Sequence, residues 1–137
     1  MFQTFLHQTN YLAILVSALI YFIIGALWYS MLFRKQWVQL IGLKPEQMQN
    51  GSKIVFLYTF LAEIVIVFAM AFIIWILGTP DCVSAIKVGL FFSVCFTATV
   101  LAINNWYGMR SMKLTLIDAG YHIVGIVFAS IILTIWK

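Results

Sequence analysis

Apolar residues dominate four stretches of this chain, Tyr11 to Phe33, Ile54 to Leu77, Ala85 to Tyr107 and Leu114 to Trp136, separated by short polar connections. Each stretch is about 23 residues, or roughly 35 Å of α-helix, enough to cross a hydrocarbon layer of about 30 Å with a modest tilt. Only one connection is long, Arg34 to Ser52. Within it Trp37, Leu40 and Ile41 recur at i, i+3 and i+4, which predicts a short helix lying in the membrane interface with Arg34 and Lys35 toward headgroups. Gly42 is placed to end that helix, Pro45 in Lys44-Pro45-Glu46 suits a first helical position, and Asn50-Gly51 marks the turn into the second span. The connection Gly78-Thr79-Pro80-Asp81 reads as a helix stop and a turn, with Ser84 available as the next N-cap.

These elements use up most of the chain. The expected architecture is all-α: a single transmembrane domain over residues 1–137, an integral membrane four-helix bundle with a short interfacial helix between spans 1 and 2. Composition removes the soluble alternative, since 64% of the residues are hydrophobic and 9% are charged. A weak internal echo accompanies the spans. Trp28-Tyr29-Ser30-Met31 ends the first and Trp106-Tyr107-Gly108-Met109 the third, while Ile66-Val67-Phe68-Ala69 in the second recurs as Ile126-Val127-Phe128-Ala129 in the fourth. Such an echo fits two parallel helical hairpins.

Charge supplies orientation. Arg34, Lys35, Lys44 and Lys53 in the first connection and Arg110 and Lys113 in the third face only Lys87 and Lys137 on the other side. The positive-inside rule therefore puts both termini outside. Trp28, Trp37, Trp106 and Tyr107 at the inner boundary, and Trp75 and Trp136 at the outer one, fit aromatic belts. Topology thus accounts for the net charge of +4, which is no nucleic-acid footprint; the expected partners are the lipid bilayer, further copies of the chain, and a small solute or ion. Met1 to Asn10 lacks the Lys and Arg of a signal-peptide n-region, so the first span is expected to stay in the protein. Cys82 and Cys95 are too few for a disulfide framework and too far apart along one helix to pair.

Candidate chemistry lies where polar side chains align inside the spans, because ionisable groups there cost several kcal/mol. On the fourth span Asp118, His122, Gly125 and Ala129 fall at i, i+4, i+7 and i+11, a stripe that should face other helices. Gly89, Ser93, Thr97 and Asn104 on the third and Ser17, Tyr21, Gly25 and Trp28 on the first form comparable stripes. Glu63 stands about ten residues into the second span, near the bilayer centre, where a bare carboxylate is least tolerable.

The candidate polar pocket is Trp28, Tyr29, Glu63, Asn104, Asp118, Tyr121 and His122. Three readings fit it. Asp118 accepts from Asn104, His122 or the Tyr29 hydroxyl in a structural knot; Glu63, His122 and Asp118 form a proton or cation relay; or Asp118 and His122 present two metal ligands on one helix face, with Glu63 or Cys95 as a third. No cofactor motif or soluble-enzyme signature is present, and Ser130 and Cys95 sit in apolar spans as packing residues, so no catalytic residue is assigned.

Tyr11-Leu12-Ala13-Ile14-Leu15-Val16, Gly25-Ala26-Leu27-Trp28-Tyr29-Ser30 with Trp37 beyond, and Ile117-Asp118-Ala119-Gly120-Tyr121-His122 resemble the bacterial "domain of unknown function 1761" family over nearly the whole chain. The resemblance implies a four-span bacterial inner-membrane protein with no established activity, and it implies Trp28, Asn104, Asp118 and His122 as signature positions. This chain carries Met31 where that pattern has a proline. The residue-level reading points to permeation or proton-coupled transport through an oligomer, with a non-catalytic ligand-binding or interaction subunit as the alternative.

The orientation is directly testable. An impermeant thiol reagent should label Cys82 in intact cells; labelling confined to inverted vesicles would reverse the assigned topology.

Overall fold

The computed structural model describes residues 1–44, 46–47 and 52–137, and among these all regular structure is helical. Helix α1 is Phe2–Gln8; α2 is Tyr11–Leu27, prolonged by a wider π-helical turn Trp28–Leu32; α3 is Arg34–Ile41; α4 is Ser52–Leu77. The third span, α5, runs from Cys82–Phe92 through a π-helical stretch Ser93–Ala98 into Thr99–Tyr107, and α6 is Met112–Ile135. Four of these are long and apolar enough to cross a membrane: Tyr11–Leu32, Lys53–Leu77, Cys82–Tyr107 and Met112–Ile135. The proposed roles of Pro45 and of Asn50-Gly51 lie outside the described residues.

The helix ends follow local chemistry. Asn10 caps α2 by accepting from the Ala13 amide at 3.1 Å, and Ser111 caps α6 through the Leu114 amide at 3.2 Å. Helix α5 begins three residues before the expected Ala85 because Asp81, not Ser84, is its cap: the Asp81 carboxylate accepts from the Ser84 amide at 2.8 Å. That bond holds the Asp81 carboxyl below its usual range. Gly42 and Gly78 end α3 and α4 with φ of 70° and 58°, a left-handed conformation that costs glycine nothing. Helix α3 is more than an interfacial float, since it packs against α6 and its Trp37 ring lies 5.2 Å from that of Tyr29.

The last span is the hub. Helix α6 packs against α2, α4 and α5, whereas α4 barely meets α5. Accordingly 44% of the apolar window of α6 is buried, against 11% for α5, which leaves most of its surface to lipid. Each sequential hairpin is formed, yet the packing between them is lopsided, carried by α2 and α4 on α6.

Close approach depends on rings seated on glycines. A methyl group at Gly25 would come within 3.0 Å of the Tyr121 ring, one at Gly120 within 3.0 Å of the Trp28 ring, and one at Gly125 would overlap the Tyr21 ring. On the far side of α6, a methyl at Gly89 of α5 would meet the Val127 backbone at 3.0 Å. At the end of the bundle that carries both termini, α1, which the sequence pattern does not predict, buries Phe5 among Phe68, Phe72 and Trp75, at ring separations of 5.5, 5.0 and 5.8 Å. These edge-on and tilted contacts close the bundle there.

Gly125→Ala tests the ring-on-glycine packing. The added methyl should displace Tyr21 and destabilise the bundle by about 1–3 kcal/mol, lowering the thermal midpoint in detergent, while Leu116→Ala at an exposed site should stay close to the parent. Equal midpoints for all three would mean that Tyr21 does not pack on Gly125.

Candidate functional site

The polar side chains of three helices meet along the half of the α2/α4/α6 junction that lies away from the chain termini. Glu63, only 2% exposed, sits on α4 between Phe60 and Val67, one helical turn to either side. The Tyr121 hydroxyl of α6 donates to its Oε1, while Oε2 is buried without a partner. One position along α6, His122 holds its Nδ1 2.5 Å from the hydroxyl of Tyr21, a fully buried residue of α2. A hydroxyl in that position donates to an unprotonated Nδ1. Nearer the start of α6, the Tyr29 hydroxyl donates to Oδ1 of Asp118 at 2.7 Å, and the Trp28 indole N–H donates to the Ile117 carbonyl at 3.0 Å.

The three pairs form one body because their rings touch. Tyr121 lies 5.3 Å from Tyr21, 5.5 Å from Tyr29 and 4.5 Å from His122, centroid to centroid. A cooperative polar network of this kind fixes helix register, since any slip would orphan several groups at once in a medium without water. The π-helical turn Trp28–Leu32 brings both Trp28 and Tyr29 onto α6. It does so without a proline, and Met31, at the proline position of the family pattern, is exposed. Widened turns of this type recur at functional sites.

Of the residues expected to share a pocket, Trp28, Tyr29, Glu63, Asp118, Tyr121 and His122 come together. Asn104 does not. It lies exposed on α5, lining a surface groove with Phe96, Thr97, Val100 and Leu101. The cause is the π-helical stretch Ser93–Ala98. Gly89 and Ser93 face α6 as expected, but a π-bulge adds one residue and rotates the rest of the helix, so the inward position passes to Asn105. Asn105 donates to Thr115 Oγ1 at 3.0 Å, a buried bond between α5 and α6 outside the knot. Asp118 and His122 bond different tyrosines of α2, not each other.

The metal reading lacks geometry. Among the described residues no three of His, Cys, Asp or Glu converge, and Cys95 is exposed on α5. The pocket also takes in Tyr21, which was not among the expected members although the stripe Ser17, Tyr21, Gly25, Trp28 places it on the inward face.

Fold and site define a class: a multi-pass helical membrane protein with an acid, tyrosine and histidine core buried between its spans. The family model described as protein of unknown function (DUF1761) matches residues 12–134, and the chain belongs to that family. No curated protein and no solved structure matches the chain.

A double-mutant cycle tests the Tyr29 and Asp118 pair. Asp118→Ala strands the Tyr29 hydroxyl and should cost about 1–3 kcal/mol; Asp118→Asn keeps an acceptor and should melt near the parent. Tyr29→Phe with Asp118→Ala should be no worse than the worse single variant, whereas additive losses would separate the two residues.

Proposed function

We propose that the protein mediates proton-coupled permeation of a small solute or ion across the bacterial inner membrane, with Glu63 as the group that carries the proton. One observation supports this above the others: a carboxyl in the middle of a membrane span, 2% exposed, with one oxygen held by Tyr121 and the other without a partner. A purely structural acid would be expected to have both oxygens satisfied. Intramembrane acids and histidines that face a bundle interior are the usual carriers of protons in pumps and transporters. In this reading both termini lie outside, and the Asp118 end faces the positive, cytoplasmic side. Four spans supply too little wall to enclose both a pore and a packing core, so the working unit is a homo-oligomer. No catalytic step, metal or cofactor is invoked.

The runner-up rests on a different feature. The knot is close-packed, with Tyr21, Tyr121 and Trp28 seated on glycines, which suits a non-catalytic ligand-binding or interaction subunit whose polar core only sets helix register. Flux separates the two. In proteoliposomes the parent should show a pH-driven proton or ion flux that Glu63→Gln abolishes while the variant stays folded, since glutamine keeps the shape and has no exchangeable acid proton. A flux unchanged in Glu63→Gln overturns the relay, and no flux in the parent favours the interaction subunit.

A further inference from the structure

Outward from Glu63 the α2/α4/α6 junction is built in layers. Glu63, Val67, Ala71 and Ile74 line the inward face of α4, all buried; Tyr21, Ser17, Ile14 and Ala13 do the same on α2; and on α6 the inward face carries Gly125, Ala129 and Leu133. The three helices pack pairwise along this line. At its outer end lies a cavity of about 130 Å³ whose floor is Ala13, Ile14, Ala71 and Leu133, under a rim that includes Asn10 and Lys137. That space holds on the order of four waters at about 30 Å³ each. From Ala71 to Glu63 is eight residues of α4, about 12 Å.

One layer separates floor and acid, and it contains a second orphan. Ser17 is fully buried and its Oγ has no hydrogen-bond partner, although a helical serine readily bonds the carbonyl one turn back, as Ser130 does to Ile126 at 2.8 Å. By helix register, the buried Val67 of α4 and Ala129 of α6 stand at the same level. Two unpartnered buried oxygens, Ser17 Oγ and Glu63 Oε2, thus lie in sequence beneath a cavity at the bundle surface. Native interiors satisfy such groups, commonly with water.

We propose that the outer cavity is the proton entrance to Glu63 and that Ser17 is the positioning residue for the short file of waters that joins them. A hydronium ion in the cavity gives up one proton and becomes water; each water of the file, including the one held at Ser17, accepts one proton and passes one on, and an O–H bond forms at Oε2 of the ionised Glu63 carboxylate. Release runs the same path in reverse. The titratable groups around Glu63 are Tyr21 on α2 and Tyr121 and His122 on α6, and the charged side chain lining the cavity is Lys137. At the opposite end α3 packs against α6 beside the half-buried Tyr29 and Asp118 pair, and the route assigned to the proton is the one from the outer cavity. This inference rests on the proton-carrying role proposed above for Glu63 and adds the side and the route.

The test reads proton access without reading transport. In reconstituted vesicles exposed to D₂O, the Glu63 carboxyl band, identified by its loss in Glu63→Gln, should exchange at least about tenfold more slowly in Ser17→Val than in the parent, and Leu19→Val, on the lipid-facing side of α2, should match the parent. With Cys82 and Cys95 replaced by serine, Ser17→Cys should react with a small water-borne thiol reagent and Leu19→Cys should not, which covers the case in which valine prevents folding. Unchanged exchange in a folded Ser17→Val, or equal reactivity at positions 17 and 19, overturns the route. Rapid, Ser17-dependent exchange in a protein without flux would leave the route standing and remove the transport reading. Flux with Ser17-independent exchange would do the opposite.

Discussion

A carboxyl group buried between helices in the middle of an apolar span is the constraint on which the rest of this structure depends. Hydrocarbon offers Glu63 no hydrogen bonds, and leaving even one of its polar atoms alone costs on the order of a few kcal/mol. Tyr121 answers that demand from α6, which fixes α6 against α4. The Tyr121 ring then needs a flat surface to lie on, and Gly25 of α2 supplies it. The neighbouring His122 takes the Tyr21 hydroxyl, whose ring in turn presses on Gly125. Each polar bond is thereby paired with a close helix approach, so packing and hydrogen bonding specify the same arrangement.

The two π-helical segments are the adjustments that make this possible. In α2 the widened turn at Trp28–Leu32 lets the C-terminal end of the first span reach Ile117 and Asp118 together. In α5 the stretch Ser93–Ala98 turns the helix so that Gly89 and Ser93 remain against α6 above it and Asn105 below it. The peripheral span therefore stays docked on the hub over its length while exposing most of its apolar surface to lipid.

How much of this is legible in the residues depends on the kind of signal each feature leaves. Long apolar runs announce membrane spans, and all four are legible to within three residues at each end. Inward stripes are legible on α2 and α6, where regular spacing continues from Ser17 to Gly25 and from Asp118 to Ala129. On α5 the same arithmetic fails below Ser93, because a π-bulge has no distinctive composition and shifts every later position by one, which is why the spacing points to Asn104 and the fold uses Asn105. Pairings across helices, such as Tyr121 with Glu63 or Tyr21 with His122, depend on the rotation of each helix and leave no mark in linear order. Helix α1 escapes for a different reason: seven residues are too few for a periodic signal, and its burial comes from Phe5 packing on distant aromatic rings.

The two ends of the bundle differ, and that difference gives the molecule a direction. The end at Asn10 and Lys137 has a cavity, with the layer of Ser17, Val67 and Ala129 between it and the acid; the other end has the half-buried Tyr29 and Asp118 pair, with Trp37 beside Tyr29. The claim that unites both is that Glu63 is a buried acid held by Tyr121. Infrared difference spectra recorded across a pH step would examine it at the carbonyl itself. The account predicts a carboxyl band that is lost in Glu63→Gln and displaced to higher frequency in Tyr121→Phe, where the hydrogen bond is gone. A band that Tyr121→Phe leaves unmoved, or its absence from the parent at every pH, would contradict it.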